Sequence, residues 1–207
     1  AALRQDTVLV SVMYANNEIG TIQPISEIAK IVKKHGVILH TDACQAAGYL
    51  NMNVNTLQAD LITFNGSKIG GPRGIGVLYV RRGTELAPFV LGGGQEKGLR
   101  AGTENLPAVL GLVKAVEFMN RKEAEKMSKL RDYFIAKLYH SNILKNIGMT
   151  LNGDSKERLP NNVNITIPNI PSDLLVIELS ARGIMAAAKS ACKAGDGKAS
   201  YVIKAIN

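Results

Sequence analysis

The chain has 207 residues, 46% of them hydrophobic and 20% charged, with a net charge of +8. That balance excludes a disordered or collagen-like chain. Two cysteines, three histidines and the absence of a C-x-x-C pair exclude a disulfide framework and a structural zinc site.

Thr7 to Tyr14 is an apolar run that predicts a buried strand. Pro24 to Gly36 predicts a helix, with Pro at the first turn, Glu27 early, Lys33 and Lys34 late, and Gly36 past the end. Its residues Ile25, Ile28, Ala29 and Val32 recur at helical spacing. Val37–Thr41, Leu61–Phe64 and Ile75–Val80 read as further strands. Continuous apolar strands beside an amphipathic helix imply an α/β sheet buried on both faces. Beyond Gly92–Gly94, Leu106, Val109, Leu110, Val113 and Val116 mark one helix. Met127, Leu130, Phe134 and Leu138 mark a second, read as a core stripe. Short strands are expected around 149–151 and 163–167, then a helix from Ser172 as N-cap to Gly183 as C′. Tyr201–Ile206 begins one more helix. A boundary near residue 120 separates the α/β half from an α+β unit. A chain that opens on a core strand and closes within a helix is expected to be a piece of a longer protein.

Much of the positive charge lies between Lys114 and Lys204, interleaved with Glu117, Glu123, Glu125, Asp132, Glu157, Asp173 and Glu178. Mixed signs at this spacing describe a solvated face, so no nucleic-acid partner is expected. The longest apolar stretch, Leu106 to Val116, contains Lys114 and falls short of the ~20 residues that span a bilayer. With Arg4 and Asp6 near the start and no signal-peptide pattern, the expectation is a cytoplasmic protein without a membrane partner.

Asp42 ends one apolar strand, and Lys68 follows another 26 positions later (68 − 42). In open α/β sheets ligands gather at the carboxyl ends of strands. A carboxylate and an amine delivered to that rim suit pyridoxal phosphate, which needs a lysine for its Schiff base and an anion for its pyridinium nitrogen. The Asn65-Gly-Ser67 loop offers hydroxyl and N–H groups to a phosphate. The glycines at 71, 74 and 76 have neither dinucleotide nor P-loop spacing. Taken singly, a strand-end Asp is also a turn former, a lone Lys a solvated charge, and Cys192 a small buried hydrophobe.

In order and spacing, Asn16-Asn17, His40-Thr-Asp42-Ala-Cys-Gln45, Asn65-Gly-Ser67-Lys68, Arg100-Ala-Gly-Thr103 and Ser190-Ala-Cys192 resemble the cysteine desulfurases of the NifS/IscS type, over essentially all 207 residues. The resemblance implies a fold-type I pyridoxal-phosphate transferase. Residues 1–120 would be the later part of the large cofactor-binding domain, with a partial, mostly parallel sheet. Residues 121–207 would be most of the smaller α+β C-terminal domain. It implies Lys68 as the Schiff-base lysine and mover of protons at Cα, Asp42 as the partner of the ring nitrogen, and Gln45 as the partner of the ring hydroxyl oxygen. Asn17 would bind near the cofactor oxygen and the substrate carboxylate, Asn65 and Ser67 at the phosphate, and Thr103 at the phosphate of a partner subunit in a homodimer. Cys192 would take sulfur from L-cysteine as a persulfide, releasing L-alanine, and pass it to a sulfur acceptor or iron–sulfur scaffold protein serving cluster assembly or thiolation. A transient iron–sulfur contact through Cys192 is the one metal role implied. Selenocysteine lyase and a non-catalytic scaffold share this framework. Two positions depart from the family pattern: Ser67 stands where a His usually precedes the lysine, and Lys189 where a Gly usually precedes Ser-Ala-Cys. The resemblance also places a phosphate-binding segment and a ring-stacking His before residue 1, and a substrate-binding Arg after Asn207.

Overall fold

In the computed structural model, which describes residues 2–188 and 200–206, the first apolar run forms strand β1 (Leu9–Met13). Helix α1 (Ile25–Lys34) returns the chain to β2 (Ile38–Asp42), and a turn with α2 (Val54–Leu57) leads to β3 (Leu61–Asn65). β1, β2 and β3 are parallel neighbours, as long β-to-β crossovers require. β4 (Gly76–Val80) then pairs antiparallel with β3, so the sheet is mixed and mostly parallel in the order β1-β2-β3-β4. The direction of β4 follows from its short link: residues 66–75 suffice for a reversal but not for a parallel crossover.

The stripe of α1 packs as its spacing predicts, with Ile25, Ala29 and Val32 buried. Gly36, at φ +66°, takes the left-handed position after the helix end that a side chain would resist. These residues join Leu39, Ala43, Ala46, Leu57, Ala59 and Ile62 in one core. Asp60 fixes this region through Oδ2, which accepts from the Leu39 N–H at 2.9 Å, while Arg81 donates to the carbonyls of Val54 and Ala59.

The expected burial on both faces is not met. β1 and β4 alternate between exposed and half-buried positions, with Leu9 and Leu78 exposed, because the core formed with α1 covers only one face. The stripe assigned to α3 (Leu106–Glu117) is also corrected. Ala108 and Leu112 are buried, whereas Leu106, Leu110, Val113 and Val116 face outward. Helix α3 approaches the Pro72 loop through Gly111, where a Cβ would sit 2.5 Å from Pro72 Cγ.

Contacts divide the chain into two compact units, Ala1–Tyr14 with Gln23–Asn120, and Ala15–Ile22 with Arg121–Asn207. The Ala15–Ile22 segment thus groups with the later residues. The second unit holds α4 (Arg121–His140), α5 (Asn142–Asn146), the antiparallel pair β5 (Thr150–Leu151) and β6 (Ile165–Thr166), α6 (Ser172–Ala181) and α7 (Tyr201–Ile206). Leu130 and Phe134 of α4 are exposed and Met127 and Leu138 only half-buried, so the expected core stripe is not met. Pro171, not Ser172, occupies the N-cap of α6, where its fixed φ suits the entry; Gly183 does take the left-handed position beyond the end.

Candidate active site

The parallel strands bring their carboxyl ends to one rim, with Met13 level with Asp42 and Asp42 level with Thr63. The ladder runs on past the strands: the Tyr14 N–H donates to the Asp42 carbonyl at 2.7 Å, and the Ala43 N–H to the Thr63 carbonyl at 2.8 Å. Asp42 is half-buried there, and its Oδ1 accepts from the Cys44 N–H at 2.8 Å. That turn-forming bond locks the carboxylate at the strand end instead of competing with a ligand role.

Lys68 stands on a turn that three neighbouring residues build. Asn65 Oδ1 accepts from the Lys68 N–H and from Ser67 Oγ, each at 3.1 Å, closing the one-turn helix Gly66–Lys68. Gly66 donates to the Ile75 carbonyl at 2.9 Å and accepts from the N–H of Gly71 at 2.8 Å. A Cβ at 66 would lie 2.8 Å from both Ile75 Cγ2 and the Pro72 carbonyl, so only glycine lets the loop close. Ser67 and Lys68 are exposed on this turn. Asn65→Ala is expected to cost about 1 kcal/mol by deleting the cap, read as a lowered unfolding midpoint.

Between the two strand ends sits Cys44. Asn65 Nδ2 donates to its sulfur at 3.5 Å. Burial pushes the Cys44 thiol up to about 11, and the Asp42 carboxylate adds to this as hydrogen-bond acceptor and as negative charge. Hydrogen bonding from the Asn65 main chain and the Lys68 ammonium pull the other way. The Asp42 carboxylate and the Lys68 turn thus stand at the ends of neighbouring strands, linked through Cys44 and Asn65. Below them, His40 is fixed in a row across three strands, bonded to Ser11 Oγ at 2.7 Å through Nδ1 and to Thr63 Oγ1 at 3.0 Å through Nε2.

The other expected residues are placed as follows. Gln45 is half-buried on the turn after Asp42, and Thr103 is exposed just before α3, whose N-cap is Asn105. Asn17 is exposed and belongs to the second unit. Within that unit, buried Glu18 accepts from Ser200 Oγ, and Ser200 caps α7 through the Val202 and Ile203 N–H groups. Cys192 and Lys189 lie outside the described residues. Sequence patterns gave no sign of Cys44 or His40 as structural parts of the rim; the small-residue spacing of Asp42-Ala-Cys44 was the available signal for the first.

Residues 1–203 match the model of the family described as aminotransferase class-V. The chain belongs to the aminotransferase class-V family. Its similarity to one group of proteins is extensive. It is 42% identical to the cysteine desulfurase IscS of Dictyoglomus turgidum over 100% of this chain and 52% of that protein. It is 44% identical to cysteine desulfurase IscS 1 of Archaeoglobus fulgidus over 98% of this chain and 52% of that one. The chain spans about half the length of the curated relatives it matches. Among solved structures, a NifS-like protein from Rickettsia africae superposes with a TM-score of 0.81 at 32% identity, covering 97% of this chain and 52% of that one. A structure titled "SspA in complex with cysteine" gives a TM-score of 0.79 at 32% identity over 100% of this chain and 56% of the other. The fold is therefore that of the fold-type I aminotransferase-like proteins, and the cysteine desulfurases and class-V aminotransferases are pyridoxal-phosphate enzymes. The residues present fit that cofactor. A half-buried carboxylate and an exposed primary amine stand at the ends of neighbouring strands, next to a loop with an exposed serine hydroxyl and tightly turned backbone. Among the described residues no helix is long and apolar enough to cross a membrane, and no group of three or more His, Cys, Asp or Glu is arranged to hold a metal.

Proposed function

We propose that the protein carrying this chain is a pyridoxal-phosphate-dependent cysteine desulfurase that converts L-cysteine to L-alanine and passes the sulfur on through an enzyme persulfide. The observation that carries this reading is the placement of Asp42 and the Lys68 turn at the adjacent carboxyl ends of two parallel strands, linked through Cys44 and Asn65. The similarity to desulfurases over the full chain supports the choice of substrate.

When bound, the cofactor supplies an electron sink that lets the substrate Cα lose a proton. Asp42 accepts a hydrogen bond from the ring nitrogen and keeps that nitrogen protonated. Lys68 holds the cofactor covalently at rest and then carries the proton at Cα, the task for which an exposed amine on a fixed turn is suited. Gln45 faces the ring hydroxyl oxygen, and Asn65 and Ser67 hold the phosphate. Thr103 reaches the phosphate site of a second subunit in a homodimer; the outward apolar residues Leu106, Leu110 and Val113 of α3 support such a contact. Asn17 lies near the substrate carboxylate. The Cys192 thiolate attacks the substrate sulfur, and the carbon–sulfur bond breaks. The balance is substrate thiol plus enzyme thiol giving alanine plus enzyme persulfide. The persulfide then serves a sulfur acceptor or an iron–sulfur scaffold protein, with Cys192 as a transient iron–sulfur ligand at most. A reducing cytoplasm is the compartment in which Cys192 stays a thiol. Residues 1–120 form the later part of the large domain and 121–207 most of the small one, with 15–22 contributed to the latter.

The test is alanine release by the complete protein from L-cysteine in the presence of a reducing thiol, with sulfide measured alongside. Equal amounts of alanine and sulfide are expected. Turnover of selenocysteine alone makes the protein a selenocysteine lyase, and a protein that turns over neither substrate and binds no cofactor is a scaffold.

A further inference from the structure

Cys44 has no place in the chemistry above, yet it occupies the centre of the rim. Its main-chain N–H is spent on Asp42 Oδ1 at 2.8 Å. Its sulfur accepts from Asn65 Nδ2 at 3.5 Å. The other end of the same Asn65 amide, Oδ1, accepts from the Lys68 N–H and from Ser67 Oγ. One continuous path of hydrogen bonds therefore runs from the Asp42 carboxylate through Cys44 and Asn65 to the Lys68 turn. It joins the end of β2 to the end of β3 just beyond their last ladder bond, from the Ala43 N–H to the Thr63 carbonyl.

We propose that Cys44 is a positioning residue, which ties the Asp42 carboxylate to the Asn65–Lys68 turn and fixes the spacing of the two groups that hold opposite ends of the cofactor. The proposal rests on the functional reading above for what the spacing serves. The tie itself concerns this chain alone. A neutral thiol suits the post better than its neighbours in size. Valine fills the space but offers Asn65 no acceptor, and alanine offers neither bulk nor acceptor. The thiol must also stay protonated, because a thiolate bonded to Asn65, three residues before Lys68, would compete with Cys192 for the substrate sulfur. Burial beside Asp42 keeps it protonated, with its pKa pushed up to about 11. The sign is that of a group favoured in its neutral form: at neutral pH Cys44 stays S–H, and it ionises only well into the alkaline range.

Two measurements on the complete protein test this. In the first, alkylation of the Cys44 peptide is followed by mass mapping against pH, without substrate, in the parent and in Asp42→Asn, Asn65→Ala and Lys68→Ala. The parent rate is expected to keep rising beyond the ordinary thiol range, with labelling at neutral pH about 100-fold slower than for a thiol of pKa 9. Asp42→Asn is expected to speed labelling several-fold and Lys68→Ala to slow it. Asn65→Ala removes the side-chain donor to the sulfur, which favours the thiolate, and is expected to slow labelling. An ordinary thiol profile that none of the three changes overturns the tie, whatever the protein's activity. In the second, the visible band of lysine-bound cofactor is titrated in Cys44→Ser, Cys44→Ala and Cys44→Val. Serine, which keeps a donor and an acceptor, is expected to retain the parent profile. Alanine and valine are expected to shift its midpoint by about half a unit and to weaken cofactor binding roughly tenfold. A parent band together with three unshifted variants overturns the positioning role alone, whereas a parent without any band overturns the functional reading and leaves the alkylation result to decide the tie.

Discussion

Replacing Lys68 by alanine in the complete protein is expected to lower cysteine-dependent alanine release by on the order of 10³-fold or more, the range lost when a positioned acid–base group is removed. The substitution leaves the fold intact. Lys68 is exposed, and the turn beneath it is held by the Asn65 side chain, the Gly66 backbone and the Gly71 N–H, none of which uses the amine. A normal unfolding midpoint with lost turnover is the expected combination. Cofactor should still bind, through Asp42 and the 65–67 loop, but without the absorption of the lysine-bound form. Turnover within tenfold of the parent would mean that another amine does this work.

The second large effect belongs to stability. Arg158 is buried in the second unit, with a relative exposure of 3%. Its guanidinium donates to the Asp154 carbonyl at 2.8 Å, to Asn162 Oδ1 at 3.0 Å and to the Asn152 carbonyl. Asn162 Nδ2 in turn donates to the Glu18 carbonyl at 2.9 Å, and Arg131 closes over the Arg158 and Leu159 carbonyls. Burial lowers the Arg158 pKa, and the neighbouring Arg131 adds to this while Asp154 opposes it. Methionine would keep much of the volume and strand three acceptors at once. Arg158→Met is therefore expected to destabilise the protein by about 3 kcal/mol or more, seen as a large drop in denaturant midpoint. Turnover is expected to fall at temperatures where the parent is still folded, because less of the variant is folded there. A midpoint unchanged within error would show that the three acceptors find other donors.

The sheet was legible because its strands are short apolar runs punctuated by glycine, proline and charged residues, and α1 because Ile25, Ala29 and Val32 recur at helical spacing. The direction of β4 was not, since apolarity carries no strand sense; the length of the 66–75 link was the clue. Helix α3 misled for a physical reason. It is apolar on more than one side, so periodicity could not say whether Leu110 or Leu112 points inward. The four- and five-residue helices α2 and α5 are too short to show a stripe. That Ala15–Ile22 leaves the first unit was invisible, because Asn16, Gly20 and Thr21 announce a turn but not the partner it will meet. At the rim, Asp42 and Lys68 were legible from their spacing after two strands. Cys44 was not, because a cysteine beside alanines reads as a small hydrophobe until its bond to Asn65 is seen.

If Lys68 and Asp42 grip one cofactor, borohydride reduction of the complete protein followed by peptide mass mapping leaves a single pyridoxyl group on Lys68, its yield sharply reduced in Asp42→Ala. A pyridoxyl group on a different lysine, or none on a protein that still turns over L-cysteine, would contradict that arrangement.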